Sequence, residues 1–241
     1  MSFPPVDGSM GMTTSTFILV PGAGGDPFYW YRVVPLLREA GHETVAVRLP
    51  AGEDGVGLAE YADTIAAAMG DAREVVLVAQ SMGAFSAPIA AAAARDRVAR
   101  IVLVAPMIPV PGETAGAFWE ASGQDVAQRA LAVAEGRDPD APFDLHEMFL
   151  HDVPAEVAAR LLEEGDTRDE GKSFADPWPL DAWPDVPTTV IAGARDRLFP
   201  LDYMRGLARS RLGLEAVTVV DAGHLPALSR PEDLTRAILT G

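Results

Sequence analysis

A serine, an aspartate and a histidine each follow a short apolar run in this chain of 241 residues. Ser81 follows the run 75–79, Asp196 follows 188–191, and His224 follows 217–220. A serine attacks a carbonyl carbon when a histidine takes its proton and a carboxylate orients that histidine. These residue types therefore predict nucleophilic acyl transfer, provided that the fold brings the three side chains together.

The residues around Ser81 indicate a tight turn from a strand into a helix. Ala79 and Gly83 lie two positions either side of the serine, and an alanine-rich run, 84–94, follows. Only small residues fit at these two positions when the turn is this tight. The turn would lift the Ser81 hydroxyl clear of the sheet and direct the first N–H groups of the helix at the same point. A small-residue turn can also be purely structural, so the prediction depends on the other two residues.

Of the four histidines, His224 has the position that a base requires. It follows the last apolar run, so its side chain should emerge at the carboxyl edge of the sheet, the edge that carries Ser81. His42 lies in a helix-to-strand connection at the opposite edge. His146 and His151 are five residues apart, unlike the His-Glu-x-x-His pattern of zinc sites. We therefore predict that the site contains no metal.

The orienting acid should lie at the same edge. No carboxylate follows the fourth apolar run until Glu113, whereas Asp196 comes directly after the fifth. Asp221 is too close to His224 on one strand end to reach the far ring nitrogen. Asp196 is therefore the candidate, although its flanking arginines leave a surface ion pair as an alternative interpretation.

A glycine-rich loop, 20–25, follows the first apolar run and predicts a pair of oxyanion donors. We expect the backbone N–H of Ala23 to act together with that of Met82. The same loop begins like a dinucleotide-binding fingerprint, but Pro27 occupies the third glycine position. A Tyr-x-x-x-Lys motif is also excluded, because Lys172 is the only lysine and the residue four positions before it is Arg168. We therefore predict that the protein uses no cofactor.

The elements that would position these residues alternate along the chain. Six runs are almost wholly apolar, as expected of parallel strands that are covered on both faces: 16–20, 44–47, 75–79, 101–104, 188–191 and 217–220. Helical patterns lie between them: 29–39, 58–69, 82–94, 203–211 and 231–239. This alternation predicts an α/β fold with a doubly wound, mostly parallel sheet of about six strands.

The alternation is interrupted before the penultimate strand. We expect residues 16–106 and 187–241 to form the core, and 107–186 to form a helical cap over the carboxyl edge. Residues 1–15 are interpreted as a disordered leader or an expression remnant. Candidate pocket residues are six large side chains of the cap and two residues beside the catalytic loops: Phe118, Trp119, Phe143, Met148, Phe149, Trp178, Gly22 and Leu225.

Composition excludes several classes of partner. The net charge of −16 argues against nucleic acids and anionic membranes, which attract clusters of Lys and Arg. The absence of cysteine rules out disulfides and thiolate catalysis. The N-terminus has neither the basic nor the apolar region of a secretory signal, and we expect a cytoplasmic protein. A small-molecule substrate is the expected partner, and the oligomeric state is left open.

Together these motifs resemble those of the α/β-hydrolase superfamily over residues 16–240, especially the branch of small esterases and hydroxynitrile lyases. The similar segments are 20–23, 30–37, 48–50, 193–200 and 221–224. The resemblance implies a cofactor-free serine hydrolase that cleaves a carboxylic ester, lactone or thioester through an acyl-enzyme. The chain departs from the family pattern at Pro21, Ala79 and Gln80, and Leu225 replaces the lysine that follows the histidine in hydroxynitrile lyases.

Two other functions are compatible with these residues. A thioesterase that serves an acyl-carrier protein would share the elbow 80–84, but an acidic surface disfavours docking to an acidic carrier. The same fold can also serve as a ligand-binding receptor with little turnover, because function belongs to the site rather than the fold. An intact triad argues against the receptor.

Overall fold

Six parallel strands form one sheet in the computed structural model, which describes residues 14–165 and 171–241. The strands are β1 (Thr16–Val20), β2 (Glu43–Ala46), β3 (Val75–Gln80), β4 (Val98–Val104), β5 (Thr188–Gly193) and β6 (Thr218–Val220). Their order is β2-β1-β3-β4-β5-β6, and every neighbouring pair is parallel. The predicted parallel sheet is confirmed. Most of the predicted leader, residues 1–13, lies outside the described residues.

The strand order places a switch point at the carboxyl ends of β1 and β3. The chain moves from β1 to β2 on one side and then crosses back to add β3 on the other. Connections on opposite sides of the sheet leave a crevice between the loops that follow these two strands, where open α/β folds bind ligands. All six residues of β3 are buried, so the residue at its end has a rigid support.

Helices cover both faces of the sheet. The helices outside the β4–β5 connection are α1 (Val33–Glu39), α2 (Leu58–Ala68), α3 (Gly83–Ala93), α8 (Leu201–Leu212), α9 (Pro226–Ser229) and α10 (Pro231–Thr240), with a 3-10 turn at Pro27–Trp30. Apolar residues of α1 and α10 join the core on one face, and those of α2, α3 and α8 join the core on the other. No helix of the described residues is long and apolar enough to cross a bilayer.

The segment between β4 and β5, residues 105–187, has no strand among its described residues. It contains α4 (Ala115–Ala121), α5 (Gln124–Ala134), a π-helical turn (His146–Leu150), α6 (Ala155–Glu164) and α7 (Lys172–Ala175). α4 and α5 are separate helices, because Gly123 adopts a left-handed φ of 73° between them. This inserted segment supplies much of the wall around Ser81, as described below.

Candidate active site

Ser81 lies at the junction of β3 and α3 with a backbone φ of +49°. Ser81 and Ala105 are the two non-glycine residues with positive φ in the described part of the chain, and Ala105 follows β4 directly. Their backbones are tied together, since Ser81 N donates to the Val104 carbonyl (3.0 Å) and Met107 N donates to the Ser81 carbonyl (3.0 Å). The strained geometry at Ser81 is therefore held by the end of the neighbouring strand.

The small residues around Ser81 are required by close packing. A Cβ atom on Gly83 would lie 2.6 Å from the carbonyl oxygen of Pro21 in the loop after β1. Ala79 is completely buried within β3. The elbow can therefore approach the β1 loop only with a glycine at position 83, as the sequence pattern indicated.

His224 connects Ser81 to Asp196. Nε2 of His224 lies 3.3 Å from Ser81 Oγ, and Nδ1 lies 2.9 Å from Asp196 Oδ2. Asp196 Oδ1 accepts the backbone N–H groups of Leu198 (2.8 Å) and Phe199 (2.9 Å), which fix the carboxylate. An ionised carboxylate only accepts hydrogen bonds, so Nδ1 carries the proton and the lone pair of Nε2 faces the serine.

Aromatic side chains hold the imidazole and keep water away from it. The ring of His224 is fully buried, with Phe149 at 5.0 Å and Phe199 at 5.1 Å between ring centroids, both edge to face. Phe199 belongs to the loop that carries Asp196, and Phe149 belongs to the inserted segment. The ring therefore has a single supported orientation, and Ser81 remains 8% exposed beside it.

Gln80 is a polar contact of His224 that the sequence did not identify as a site residue. Its Nε2 lies 3.3 Å from His224 Nε2, and its Oε1 lies so close to Gly22 that a Cβ there would be 2.3 Å away. The Gln80 amide thus lies between the β1 loop and the imidazole. Gln80 and Ser81 both approach Nε2 of His224, which has a single lone pair in the neutral ring. They are therefore alternative hydrogen-bond donors to this nitrogen.

The two residues predicted to supply oxyanion donors belong to separate segments near Ser81. Ala23 belongs to the β1 loop and lines the cavity in front of the serine. Met82 is the N-cap residue of α3, so its backbone lies at the positive end of the helix dipole. Among the described residues, no three His, Asp or Glu side chains are arranged to hold a metal ion.

Ser81 opens into a cavity of about 350 Å³ that is mostly apolar. The loops after β1 and β3 form one wall, and the inserted segment forms much of the other. The lining comprises Pro21, Gly22, Ala23, Asp26, Phe28, Tyr29, Gln80, Ser81, Met107, Trp119, Leu145, Phe149, Leu150, Leu161, Leu162, Gly165, Phe174, Leu198, His224, Leu225 and Leu228. None of these residues is Lys or Arg, and Asp26 is paired with Arg48 at 2.9 Å.

Four predicted pocket residues, Gly22, Trp119, Phe149 and Leu225, line this cavity, and four others do not. Phe118 is fully buried beside Phe85 and Phe199, and Trp178 donates its indole N–H to the Phe85 carbonyl. Both therefore belong to the core. Met148 is buried near Gln128, and Phe143 is 67% exposed and contacts Phe149 edge to face.

Leucine is the most frequent type among the cavity residues that the sequence did not suggest, and half of these residues belong to the inserted segment. Four leucines of this segment line the cavity: Leu145, Leu150, Leu161 and Leu162. The sequence prediction was based on aromatic and Met side chains and therefore did not include them. Tyr29 contributes from the 3-10 turn. Burial raises the pKa of Tyr29 far above its usual range, so the hydroxyl stays neutral in the cavity wall.

The fold and this arrangement are those of an α/β hydrolase, and the comparison with known families agrees. Residues 17–237 match the model of the Alpha/beta hydrolase family, and the chain belongs to that family. It is 26% identical to methylesterase 7 of Arabidopsis thaliana over 92% of this chain and 94% of the relative. It is 28% identical to a pyrethroid hydrolase of Sphingobium wenxiniae over 94% of this chain and 87% of the relative.

Solved structures show the same fold. The crystal structure of polyneuridine aldehyde esterase superimposes with a TM-score of 0.74 at 21% sequence identity. The match covers 94% of this chain and 98% of that structure. At this coverage the match includes most of the inserted segment as well as the sheet.

Proposed function

We propose that this protein is a cofactor-free serine hydrolase that cleaves an uncharged, largely apolar carboxylic ester through an acyl-enzyme. The observation that carries the proposal is the continuous contact from Ser81 Oγ through His224 to Asp196 at the wall of an apolar cavity. Esterases among the relatives support the same reaction class.

In the proposed reaction Ser81 Oγ attacks the ester carbonyl carbon while His224 Nε2 takes the hydroxyl proton. The oxyanion that forms is stabilised by the backbone N–H groups of Ala23 and Met82. His224 then gives the proton to the alcohol oxygen as the C–O bond breaks, leaving the acyl group on Ser81. Water repeats the sequence, and its attack releases the acid and restores the serine. Asp196 keeps the imidazole in the required tautomer throughout.

The cavity supports an uncharged substrate. Among the described residues its lining includes no Lys or Arg that could pair with an anion, and transferring an unpaired charge into such a site is unfavourable. Lactones and thioesters pass through the same tetrahedral intermediate, so the cavity alone does not separate them from esters. Initial rates on matched ester, lactone and thioester substrates would rank the three.

We also propose that residues 107–186 act as a cap on a core formed by 16–106 and 187–241. The support is the contribution of Trp119, Phe149 and Leu161 from this segment to the cavity wall. A cytoplasmic location stays a prediction from the N-terminal sequence.

A fluorophosphonate probe tests the nucleophile directly. Only an activated hydroxyl attacks phosphorus readily, so intact-mass analysis should show one adduct per wild-type chain. Ser81→Ala should give none, whereas Ser86→Ala, which changes a buried serine of the helix that follows Ser81, should still be labelled. An adduct on Ser81→Ala would mean that another residue is the nucleophile.

Cyanohydrin cleavage should be negligible. Release of cyanide leaves an anion beside Leu225, and the only lysine, Lys172, is paired with Asp176 at 2.9 Å instead of lining the cavity. Among the described cavity residues, His224 is the only side chain that could carry a positive charge, so the anion would be poorly stabilised. Cyanide release from mandelonitrile should therefore stay at the buffer rate. Release well above that rate, and lost in Ser81→Ala, would contradict the assignment to ester cleavage.

A further inference from the structure

Asp152 is a buried carboxylate of the inserted segment that contacts the loop carrying His224. Its side chain is 2% exposed, and Oδ2 accepts the backbone N–H of Gly223 at 2.8 Å. Gly223 immediately precedes His224 in the chain. Asp152 also lies directly beyond the π-helical turn that contributes Phe149 and Leu150 to the cavity wall. One short stretch of chain therefore contacts both the substrate cavity and the histidine loop.

Gly223 provides the space for this contact. A Cβ atom at position 223 would lie 2.6 Å from Asp152 Oδ1 and 2.9 Å from His151 Nε2. The backbone of Gly223 does not have a positive φ, so its conformation alone does not demand glycine. The glycine is required because the carboxylate approaches the backbone at this point, and a side chain would displace either the carboxylate or the loop.

The Asp152 carboxylate is incompletely compensated. Among the described residues Oδ1 has no hydrogen-bond partner, and the nearest cation, Arg195, has its Nη2 3.9 Å from Oδ2. His151 Nε2 also lacks a partner there, and burial, the largest cause, together with Arg197 lowers the pKa of His151, which favours its neutral form. A buried carboxylate with one free oxygen destabilises a fold, so its presence points to a role other than stability.

We propose that Asp152 is a positioning residue that holds the His224 loop through the Gly223 amide. The proposal rests on the proposed function, in which His224 is the base. Nδ1 of His224 is fixed by Asp196, but the backbone that carries the ring needs its own anchor at the end of β6. Asp152 supplies that anchor from the inserted segment, so this segment both lines the cavity and aligns the base with Ser81.

Three variants separate hydrogen bonding from charge. Asp152→Asn removes the charge but keeps an oxygen that accepts the Gly223 N–H, so kcat should stay within about threefold of wild type. Asp152→Ala removes the acceptor and should lower kcat by about 10- to 100-fold with little change in KM, because small displacements of a catalytic group reduce rate strongly. Asp221→Ala is the matched control: it removes a 75% exposed carboxylate from the same loop and should leave kcat unchanged.

Amide hydrogen exchange provides a readout that does not depend on catalysis. In ¹⁵N-labelled full-length protein the Gly223 amide should exchange slowly in wild type and in Asp152→Asn, and faster in Asp152→Ala. Wild-type kcat in Asp152→Ala, or unchanged Gly223 exchange in that variant, would overturn the proposal. Equal losses of kcat in Asp152→Asn and Asp152→Ala would also overturn it, since charge would then be responsible.

The same experiment distinguishes this proposal from the proposed function. If wild-type protein cleaves no ester or reacts with no fluorophosphonate, the serine hydrolase assignment fails, while the exchange data still report whether Asp152 holds the loop. If the wild-type protein is active but Asp152→Ala shows neither the loss of kcat nor the faster Gly223 exchange, the hydrolase assignment stands and the positioning role fails.

Discussion

Replacing Ser81 with alanine should lower kcat for ester hydrolysis by about four to six orders of magnitude. In the proposed mechanism the substitution removes the atom that forms the acyl-enzyme, and His224 is left with no hydroxyl to deprotonate. Residual activity would come from water activated by His224 near the backbone donors of Ala23 and Met82. Steady-state hydrolysis of one chromogenic ester, followed at high enzyme concentration, measures a loss of this size.

Ser86→Ala is the matched control for this measurement. Ser86 lies five residues further along the chain, in α3, is 1% exposed, and contacts the Gly83 carbonyl at 3.3 Å. Removing its hydroxyl perturbs the same helix but no atom of the proposed reaction, so kcat should stay within about threefold of wild type. A Ser81→Ala enzyme that keeps more than about one per cent of activity would contradict the nucleophile assignment.

The sheet and the meeting of Ser81, Asp196 and His224 could be predicted because both follow from the same geometry. Each of the six apolar runs is a strand, and the carboxyl ends of parallel strands lie at one edge of a sheet. Ser81, Asp196 and His224 lie one, three and four residues beyond the last residues of β3, β5 and β6, so all three are held near that edge. The order of strands and polar residues along the sequence was therefore enough to predict that these three side chains lie close together.

The cavity wall could not be predicted in the same way. Phe118 and Trp119 are adjacent on α4, yet only Trp119 lines the cavity, because the helix turns Phe118 toward Phe85 and Phe199. Residue type does not reveal which side of such a helix packs against the core and which side lines the cavity. Leu161 and Leu162 are ordinary helix residues by sequence, and only their packing places them at the cavity.

The contact between Asp152 and Gly223 shows another limit. The two residues are 71 positions apart, and the glycine is part of a short motif before His224. From sequence, such a glycine indicates only a turn or a close approach. The structure identifies the approaching group as a carboxylate from the inserted segment, which no local pattern encodes.

Asp196→Asn should lower kcat by about three to four orders of magnitude while changing the thermal midpoint by only a few degrees. The asparagine oxygen can still accept the N–H groups of Leu198 and Phe199, so the loop after β5 keeps its hydrogen bonds. Its amide nitrogen then faces His224 Nδ1 and donates where the carboxylate accepted. The imidazole must shift its proton to Nε2, which leaves no lone pair to take the proton of Ser81.

Asp221→Asn provides the comparison, because Asp221 is the other carboxylate close to His224 in sequence. Its side chain is 75% exposed and pairs with Arg195 at 2.8 Å, so the substitution should leave kcat within about threefold of wild type. Kinetics and thermal unfolding of both variants would be measured in one buffer. A loss of kcat below tenfold in Asp196→Asn would mean that another group orients His224. If Asp221→Asn then lost more than tenfold in kcat, Asp221 would be that group.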